Sequence, residues 1–375
     1  MRRSPRILTP SSSGGEGSRA TPIPTCYDLH MRPAAIALLL GLSGCPAPSA
    51  PPPDGTPDVA VAAVKDLGLV KNAALPTVVR DGGAAGRVGG KLLWTFGDTL
   101  FPFQASDGSQ GRSSSGSYAE FTSPTTLTLE PVDTKGAPFQ LLPFNDEEKA
   151  YNAASGRPDE RYALWPTAVL PKGEQALILY TRLKVHPGDL SYEAVSTGWA
   201  LVKPWETVAE RYPEVFVAPE PQFHHAAALD AGDAYLYACA TTGLCKVARA
   251  TYTRVTERAA YTFWTGSGWS ADVAGAVATV PGGTTGFSVA YNTYLERFVS
   301  VVSVPFSGRI LLRTATRPEG PWSEPLAVTD VGATIYATVQ HPELAAEAGK
   351  KVYVSYYRPL QAFQGELHLL EVTFE

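Results

Sequence analysis

Short apolar runs with turn residues between them dominate the chain after about residue 59. Neither a long helical periodicity nor a regular alternation of strands and helices is present. The runs fall into five groups of three or four, at residues 78–129, 162–202, 221–266, 287–316 and 333–374. This pattern predicts an all-β fold, a five-bladed β-propeller over residues 59–375, with a β-sandwich as the competing architecture.

Two segments between the strand groups have a different pattern. Residues 137–158 are predicted to form a long surface loop, and residues 204–212 are predicted to form one or two turns of helix. In a propeller, the innermost strand of each blade begins at the same mouth of the central channel. Side chains from distant segments can therefore meet in one pocket without a local motif.

The dipeptide Gly89-Gly90 joins two apolar runs and permits the positive φ angles of a two-residue hairpin turn. If it is the turn, Val88 faces Lys91 and the same register places Asp81 opposite Asp98. Facing residues have Cβ atoms about 4.5–5.5 Å apart, where like charges are destabilising. Glycoside hydrolysis requires such a pair, with one carboxyl protonated and one charged. Asp81 and Asp98 are therefore the candidate catalytic residues.

Structural explanations of the same two aspartates remain open. Asp81 can simply close a turn, and Asp98 can cap a loop through its own backbone. The glycine-rich first strand can also carry a bulge that breaks the register. Arg80 and Arg87 are the nearby arginines that can hold one acid charged, although an arginine from elsewhere is equally suitable.

The first 58 residues do not have a globular pattern. Residues 1–30 are rich in Ser, Arg, Gly and Pro, and they are predicted to be disordered and to lie upstream of the true start. Residues 31–44 have the charged start and short apolar run of a signal peptide. The following Leu-Ser-Gly-Cys45 resembles the lipobox of bacterial lipoproteins, which implies lipidation of Cys45. A proline-rich tether then covers residues 45–58, and an ordinary secreted protein is the alternative.

The net charge argues against one kind of partner, and the cysteines predict a disulfide. The chain has 31 basic and 36 acidic residues and a net charge of −5, which argues against nucleic acid as a partner. Cys239 and Cys245 lie between two strand-like runs and are predicted to form a disulfide outside the cytoplasm. The sequence has no metal-ligand motif and no cofactor motif, so we expect neither a bound metal nor a cofactor. We expect an exported monomer in the cell envelope, attached to the membrane only by its lipid.

Several stretches together resemble the bacterial propellers of domain-of-unknown-function family 4185. The resemblance covers about residues 59–375 and includes conspicuous aromatic and glycine motifs. These motifs are Arg80-Asp-Gly-Gly, Leu93-Trp-Thr-Phe-Gly-Asp-Thr99, Leu164-Trp-Pro-Thr167, Tyr261-Thr-Phe-Trp-Thr-Gly-Ser-Gly-Trp-Ser270, Ser288-Val-Ala-Tyr-Asn-Thr-Tyr-Leu-Glu-Arg-Phe298, Arg313-Thr-Ala-Thr-Arg-Pro-Glu-Gly-Pro-Trp-Ser323 and His341-Pro-Glu-Leu344.

The resemblance implies a five-bladed propeller related in architecture to arabinanases and invertases. Some members are endo-D-arabinanases with two aspartates at the positions that match Asp81 and Asp98. One departure is that arabinanase-type propellers spread three carboxylates over the first three blades. Here the second and third blades offer no acid at the expected strand, and the nearest, Glu220, lies between two prolines.

Further candidates have side chains that suit a sugar. Aromatic faces stack on sugar rings, whereas His, Asn and Arg can hydrogen-bond hydroxyls or carboxylates. Two histidines are also predicted near the start of inner strands. The candidate substrate-binding residues are Arg80, Trp165, His225, Tyr291, Asn292 and His341. The alternatives are a structural histidine beside a turn and aromatic packing between blades.

Two functions of different classes are consistent with this sequence. The first is a lipid-anchored glycoside hydrolase that cleaves a furanose-containing, arabinan-like polysaccharide. The second is a non-catalytic propeller on the cell envelope that binds glycan or protein. The close acidic pair favours the enzyme, and the missing third carboxylate favours the binding protein.

Overall fold

A computed structural model describes residues 59–154, 160–186, 191–361 and 364–375. The predicted signal peptide, the lipidated cysteine and the tether all lie outside these ranges. Within them, no helix is both long enough and apolar enough to cross a membrane.

The first part of the chain forms blade 1 and a small sheet beside it. The first eight strands are β1 (Val61–Leu69), β2 (Val79–Arg80), β3 (Ala84–Val88), β4 (Lys91–Phe96), β5 (Thr99–Leu100), β6 (Gly111–Arg112), β7 (Ser115–Glu120) and β8 (Ser123–Leu129). Strands β3, β4, β7 and β8 are neighbours in that order and form blade 1. Strands β2, β5 and β6 form a separate three-stranded sheet.

Helix α1 (Asp146–Ala153) precedes blade 2, so the prediction of an irregular loop over residues 137–158 was incomplete. Asn145 and Glu148 cap the start of this helix reciprocally, each side chain accepting from the other residue's backbone N–H. Residues 204–212 contain turns and the start of a short strand instead of the predicted helix. Blade 2 contains β9 (Arg161–Lys172), β10 (Gln175–His186), β11 (Ser191–Val202), β12 (Glu210–Arg211) and β13 (Phe216–Val217).

Blades 3 and 4 follow with the same antiparallel succession. Blade 3 contains β14 (Ala226–Asp230), β15 (Asp233–Cys239), β16 (Leu244–Thr251), β17 (Thr262–Trp264), β18 (Trp269–Ser270) and β19 (Val280–Pro281). Blade 4 contains β20 (Phe287–Asn292), β21 (Arg297–Ser303), β22 (Arg309–Ala315) and β23 (Leu326–Asp330). Short 3₁₀ helices occur at Tyr252–Arg254, Arg258–Ala260, Val273–Gly275, Pro342–Leu344 and Glu347–Gly349.

Blade 5 joins the two ends of the described chain. Its strands β24 (Tyr336–Gln340), β25 (Lys351–Gln361) and β26 (Gln364–Phe374) are completed by β1, which pairs antiparallel with β26. The sequence analysis predicted no strand before residue 78, so β1 was missed. Because an early strand completes the last sheet, the ring of blades is closed by backbone hydrogen bonds.

Buried apolar side chains fill each gap between neighbouring blades. Five large clusters lie between blades 1 and 2, 2 and 3, 3 and 4, 4 and 5, and 5 and 1. Trp199, Tyr237, Val301 and Trp94 are examples of fully buried members. Each blade is thus apolar on both faces, which explains its continuous apolar runs. The five clusters confirm the predicted five-bladed propeller and exclude a two-sheet sandwich.

The hairpin predicted at Gly89-Gly90 is present. Both glycines have positive φ, 55° and 77°, as a turn of type I′ requires. Strands β3 and β4 pair in the predicted register from Val88 opposite Lys91 to Ala84 opposite Thr95.

One buried charge network attaches helix α1 to blade 2. The Glu148 carboxylate is fully buried and accepts hydrogen bonds from Arg211 at 2.6 and 3.0 Å. Arg182 also lies 3.4 Å from it. Burial works to raise the pKa of Glu148, but the hydrogen bonds from Arg211 and Asn145 outweigh it and hold the pKa below its ordinary value.

We expect Glu148→Gln to lower the free energy of unfolding by about 3 kcal/mol, because it leaves the guanidinium groups of Arg211 and Arg182 to share one carboxylate, that of Glu214. Urea denaturation at pH 7 measures the change. Asp146→Asn is the matched control, since Asp146 lies on the same helix and its salt bridge with Lys149 is exposed. Equal losses in the two variants would contradict the role given to the buried network.

Candidate active site

The two candidate aspartates are backbone neighbours. The Asp81 N–H donates to the Asp98 carbonyl at 2.8 Å, and the Asp81 carbonyl accepts from the Gly97 N–H at 2.9 Å. Gly97 and Asp98 therefore share Asp81 as a partner, which is the pattern of a β-bulge. The register recovers just beyond it, where Arg80 pairs with Thr99. The bulge considered from the sequence was on the glycine-rich first strand; the observed one is at Gly97 and Asp98 on the other strand, and it leaves the two aspartates adjacent.

The carboxyl group of Asp81 is surrounded by other protein atoms. Its Oδ1 atom is buried and has no hydrogen-bond partner among the described residues. Burial raises the pKa of Asp81 to about 6. The Tyr336 hydroxyl hydrogen-bonds the carboxylate and lowers this pKa, whereas the nearby Asp98 raises it. Asp81 is therefore a carboxyl group that can carry a proton near neutral pH.

Asp98 has a different environment. Its side chain is 21% exposed, and its Oδ2 accepts a hydrogen bond from the Arg161 guanidinium at 2.9 Å. The indole N–H of Trp165 donates to Oδ1 at 3.3 Å. Blade 2 thus supplies an ion pair and a hydrogen bond to Asp98, whereas the hydrogen bond to the Asp81 carboxylate comes from Tyr336 of blade 5. Adjacent carboxyl groups with opposite surroundings are suited to opposite roles in proton transfer.

The aspartates lie at the mouth where the innermost strands begin. The Ala337 N–H, near the start of β24, donates to the Thr285 carbonyl just before β20. Gly82, just before β3, lies against the same Ala337. The beginnings of the inner strands of blades 1, 4 and 5 are therefore close together, as the propeller prediction requires.

Two residues of this site were missed in the sequence analysis. Tyr336 begins β24 and Arg161 begins β9, so each occupies the first position of an inner strand. The rule that inner strands begin at one mouth is the signal that could have identified them. It was applied to the histidines and not to these positions. The structure therefore brings together Asp81, Asp98, Trp165, Arg161 and Tyr336.

Arg80 is placed away from the aspartates. Its guanidinium pairs with Glu130 and lies 4.9 Å from the centre of the Phe96 ring. The side chain is only 8% exposed. Because neighbouring residues of a strand point to opposite faces, Arg80 cannot join Asp81 in a substrate site. Arg161 is the arginine that contacts the acidic pair.

Three other candidates lie at the wrong end of their strands. Tyr291 and Asn292 end β20, and the Asn292 amide donates to the Gly349 carbonyl. His341 follows the end of β24 instead of preceding an inner strand. It is buried between the Ser355 hydroxyl and Glu343, and its ring lies 4.7 Å from that of Trp94. The structure gives Asn292 and His341 supporting contacts and leaves Tyr291 on the opposite end of the propeller.

His225 precedes β14, where an inner-strand start was expected. Its Nδ1 accepts a hydrogen bond from the Cys239 N–H at 3.2 Å, and its ring stacks on that of His224 at 4.2 Å. Burial lowers the pKa of His225 to about 4, so the ring is neutral at physiological pH. Cys239 itself forms a disulfide with Cys245 across facing positions of β15 and β16. The contacts of His225 described here are within blade 3.

The described residues contain no group of three or more His, Cys, Asp or Glu side chains that could hold a metal ion. The site at the channel mouth therefore consists of two carboxyl groups, one guanidinium and two aromatic side chains. Such a set suits proton transfer at an uncharged substrate.

The fold and this paired-acid mouth define the molecule as an all-β propeller of five blades. The family model described as domain of unknown function DUF4185 matches residues 78–362, and the chain belongs to that family. This finding confirms the resemblance seen in the sequence motifs. None of the curated proteins matches the chain.

Solved structures with the same fold include proteins that act on polysaccharides. A candidate hydrolase of Bacteroides ovatus has a TM-score of 0.54 at 14% identity, covering 78% of this chain and 85% of that one. The exo-β-1,3-galactanase of Phanerochaete chrysosporium, solved with β-1,3-galactotriose, has a TM-score of 0.50 at 11% identity, covering 82% and 64%. The family 43 endo-arabinanase of Bacillus licheniformis has a TM-score of 0.45 at 9% identity, covering 78% and 93%. The first two show a shared propeller fold.

We expect the pKa of Asp81 to respond in opposite directions to its two neighbours. Tyr336→Phe removes a hydrogen bond to the charged form and should raise the pKa above about 6, whereas Asp98→Asn removes a like charge and should lower it. Carboxyl ¹³C chemical shifts followed through a pH titration measure both changes. Tyr353→Phe is the control, because the hydroxyl that it removes from blade 5 donates to Glu371, so the pKa of Asp81 should not change. Shifts of the same sign in both test variants would disprove this account.

Asp81→Asn should stabilise the protein at neutral pH. The pKa of Asp81 is about 6 when folded and 3.8 as an ordinary aspartate, so stability decreases as the pH rises between these values. The difference of about two pKa units corresponds to about 3 kcal/mol. Urea denaturation should show this gain at pH 7.5 and little gain at pH 4. Asp233→Asn, which removes a partner of Arg249, is the control. A gain independent of pH would refute the assignment.

Proposed function

We propose that the chain is a glycoside hydrolase that cleaves a furanose-containing, arabinan-like polysaccharide with Asp81 and Asp98. The observation that carries the proposal is the contrast between two adjacent carboxyl groups. Burial keeps Asp81 protonated up to about pH 6, whereas Asp98 is ion-paired with Arg161. Glycoside hydrolysis needs one carboxyl group in each of these states.

Asp81 is the general acid in this proposal. Its proton passes to the glycosidic oxygen as the bond to the anomeric carbon breaks, and the leaving sugar departs as an alcohol. The loss of that proton creates a charge beside Asp98. The Tyr336 hydroxyl, which hydrogen-bonds the charged form of Asp81, then stabilises the product state of this step.

Asp98 completes the reaction at the anomeric carbon. It either activates a water molecule or attacks the carbon directly, and the two routes give inversion or retention. Carboxyl separations of about 6.5–9.5 Å favour the first route and about 5–5.5 Å the second. The Arg161 and Trp165 contacts orient the carboxylate for either route.

The proposed substrate and location follow from the family and the sequence. The resemblance of the sequence motifs implies that some members are endo-D-arabinanases with two aspartates at the positions of Asp81 and Asp98, and this supports the proposed substrate. An acidic chain suits a neutral glycan better than a polyanion. We propose that a lipid on Cys45 attaches the exported protein to the cell envelope, with the proline-rich tether between lipid and propeller.

A non-catalytic propeller that binds glycan or protein is the second candidate function. It is favoured by the absence of a third carboxylate among the described residues of the site. Glu220, the nearest acid of the third strand group, pairs with Arg258 at 2.5 Å and is occupied as a structural ion pair. This candidate predicts that the protein binds its ligand and releases no reducing ends.

We expect Asp81→Asn and Asp98→Asn each to lower kcat on arabinan about 10²–10⁴-fold, because each removes one half of the acid–base pair. The wild-type rate should fall as the pH rises above about 6, where Asp81 loses its proton. Reducing-end release across a panel of furanose and pyranose polysaccharides measures both effects.

Asp233→Asn is the matched control for loss of a carboxylate outside the channel mouth, and it should keep the wild-type rate. Full activity in both site variants would end the assignment of the aspartates. Binding of arabinan by the wild-type protein without any release of reducing ends would establish the second candidate function instead.

A further inference from the structure

A row of residues at the mouth end of blade 2 leads outward from the channel. Val185 on β10 pairs with Arg161 on β9 and with Tyr192 on β11, so these three residues form a row across the sheet. Directly paired residues of antiparallel strands share a face, and so do residues four apart on one strand. Arg161, Trp165 and Tyr192 therefore lie on the same face, which is the face that contacts Asp98.

Tyr192 is the exposed end of a chain of contacts that leads to Asp98. Its side chain is 50% exposed, and its ring meets the Trp165 ring edge-on, with centroids 5.3 Å apart. Trp165 in turn donates to the Asp98 carboxylate at 3.3 Å. An aromatic ring thus lies one side chain away from the Asp98 carboxylate, on a residue that is half exposed.

We propose that Tyr192 is a stacking platform for a sugar unit next to the unit that is cleaved, and so determines how well the protein handles a polymer. The inference rests on the proposed glycoside hydrolase function and names one binding position of that site. The apolar face of a sugar ring packs on an aromatic face, and the phenolic hydroxyl can hydrogen-bond a sugar hydroxyl. Trp165 separates Tyr192 from Asp98, so the stacked unit is a neighbour of the reacting one.

The same geometry gives the direction in which a bound polysaccharide would run. The row from Arg161 to Tyr192 crosses from the innermost strand of blade 2 to its third strand, away from the channel. A polysaccharide that follows this row along the mouth end of blade 2 extends radially outward and does not need to end in the channel. The platform therefore suits substrates several units long and adds nothing for a single sugar with a small leaving group.

The test compares Tyr192→Ala with Tyr192→Phe on two substrates, linear arabinan and an aryl arabinofuranoside. Tyr192→Ala should raise KM for arabinan about tenfold, as expected for the loss of an aromatic contact, and leave kcat/KM for the aryl furanoside unchanged. Tyr192→Phe should restore most of the polymer KM because the ring is kept. Equal KM values for arabinan in wild type and Tyr192→Ala, or equal losses on both substrates, would overturn the platform.

Tyr291→Ala is the matched control. Tyr291 is also a half-exposed tyrosine that meets a neighbouring ring edge-on, that of Phe298 at 5.2 Å, but it lies at the other end of the propeller. Its variant should keep the wild-type KM for arabinan, and thermal melting of both alanine variants separates unfolding from lost binding.

Failure of the platform and failure of the enzyme assignment give different results. If the wild type hydrolyses none of these substrates, the proposed function fails. The same variants are then compared by calorimetric titration with arabino-oligosaccharides. Weaker binding by Tyr192→Ala alone supports the platform in a non-catalytic protein. Equal binding by all variants, or no binding by the wild type, overturns it.

Discussion

The site depends on the adjacent placement of two acidic residues. A two-residue glycine turn folds β4 back on β3, and the bulge at Gly97 leaves Asp81 and Asp98 joined by a backbone hydrogen bond. Neighbouring charged carboxylates repel each other, so other interactions must offset this cost. Apolar clusters on both sides of blade 1 hold the hairpin rigid. Burial is the main cause of the raised pKa of Asp81, and the nearby charge of Asp98 adds to it.

Much of the fold follows from local pattern. Blades 2 to 5 were predicted because strands buried on both faces have continuous apolar runs, and the hairpin was predicted because Gly89-Gly90 allows one turn geometry. Strand β1 was missed because Lys65, Asp66 and Gly68 interrupt any alternation, and all nine of its positions are exposed or partly exposed. Its identity as a strand comes from β26, about 300 residues away in sequence, and no local pattern records that pairing.

The site was predictable mainly through the hairpin, and Trp165 is the one residue of another blade that was also named from the sequence. Register alone brought Asp81 and Asp98 together, whereas Arg161 and Tyr336 come from other blades and carry no motif. The prediction for His341 was wrong because the sequence did not show where the strand ends. His341 follows an inner strand instead of preceding it, because the strand ends at Gln340, and an error of a few residues moves a side chain from one end of the propeller to the other.

Blade 1 supplies both carboxyl groups, but the side chains that contact these groups come from other blades. Arg161 and Trp165 reach Asp98 from blade 2, and Tyr336 reaches Asp81 from blade 5. Blade 5 in turn keeps its place in the ring because β1 completes its sheet. The difference between the two aspartates is therefore a property of the closed ring. The seam between β1 and β26 belongs to the same sheet as Tyr336, with β25 between β26 and β24, although no residue of β1 belongs to the site.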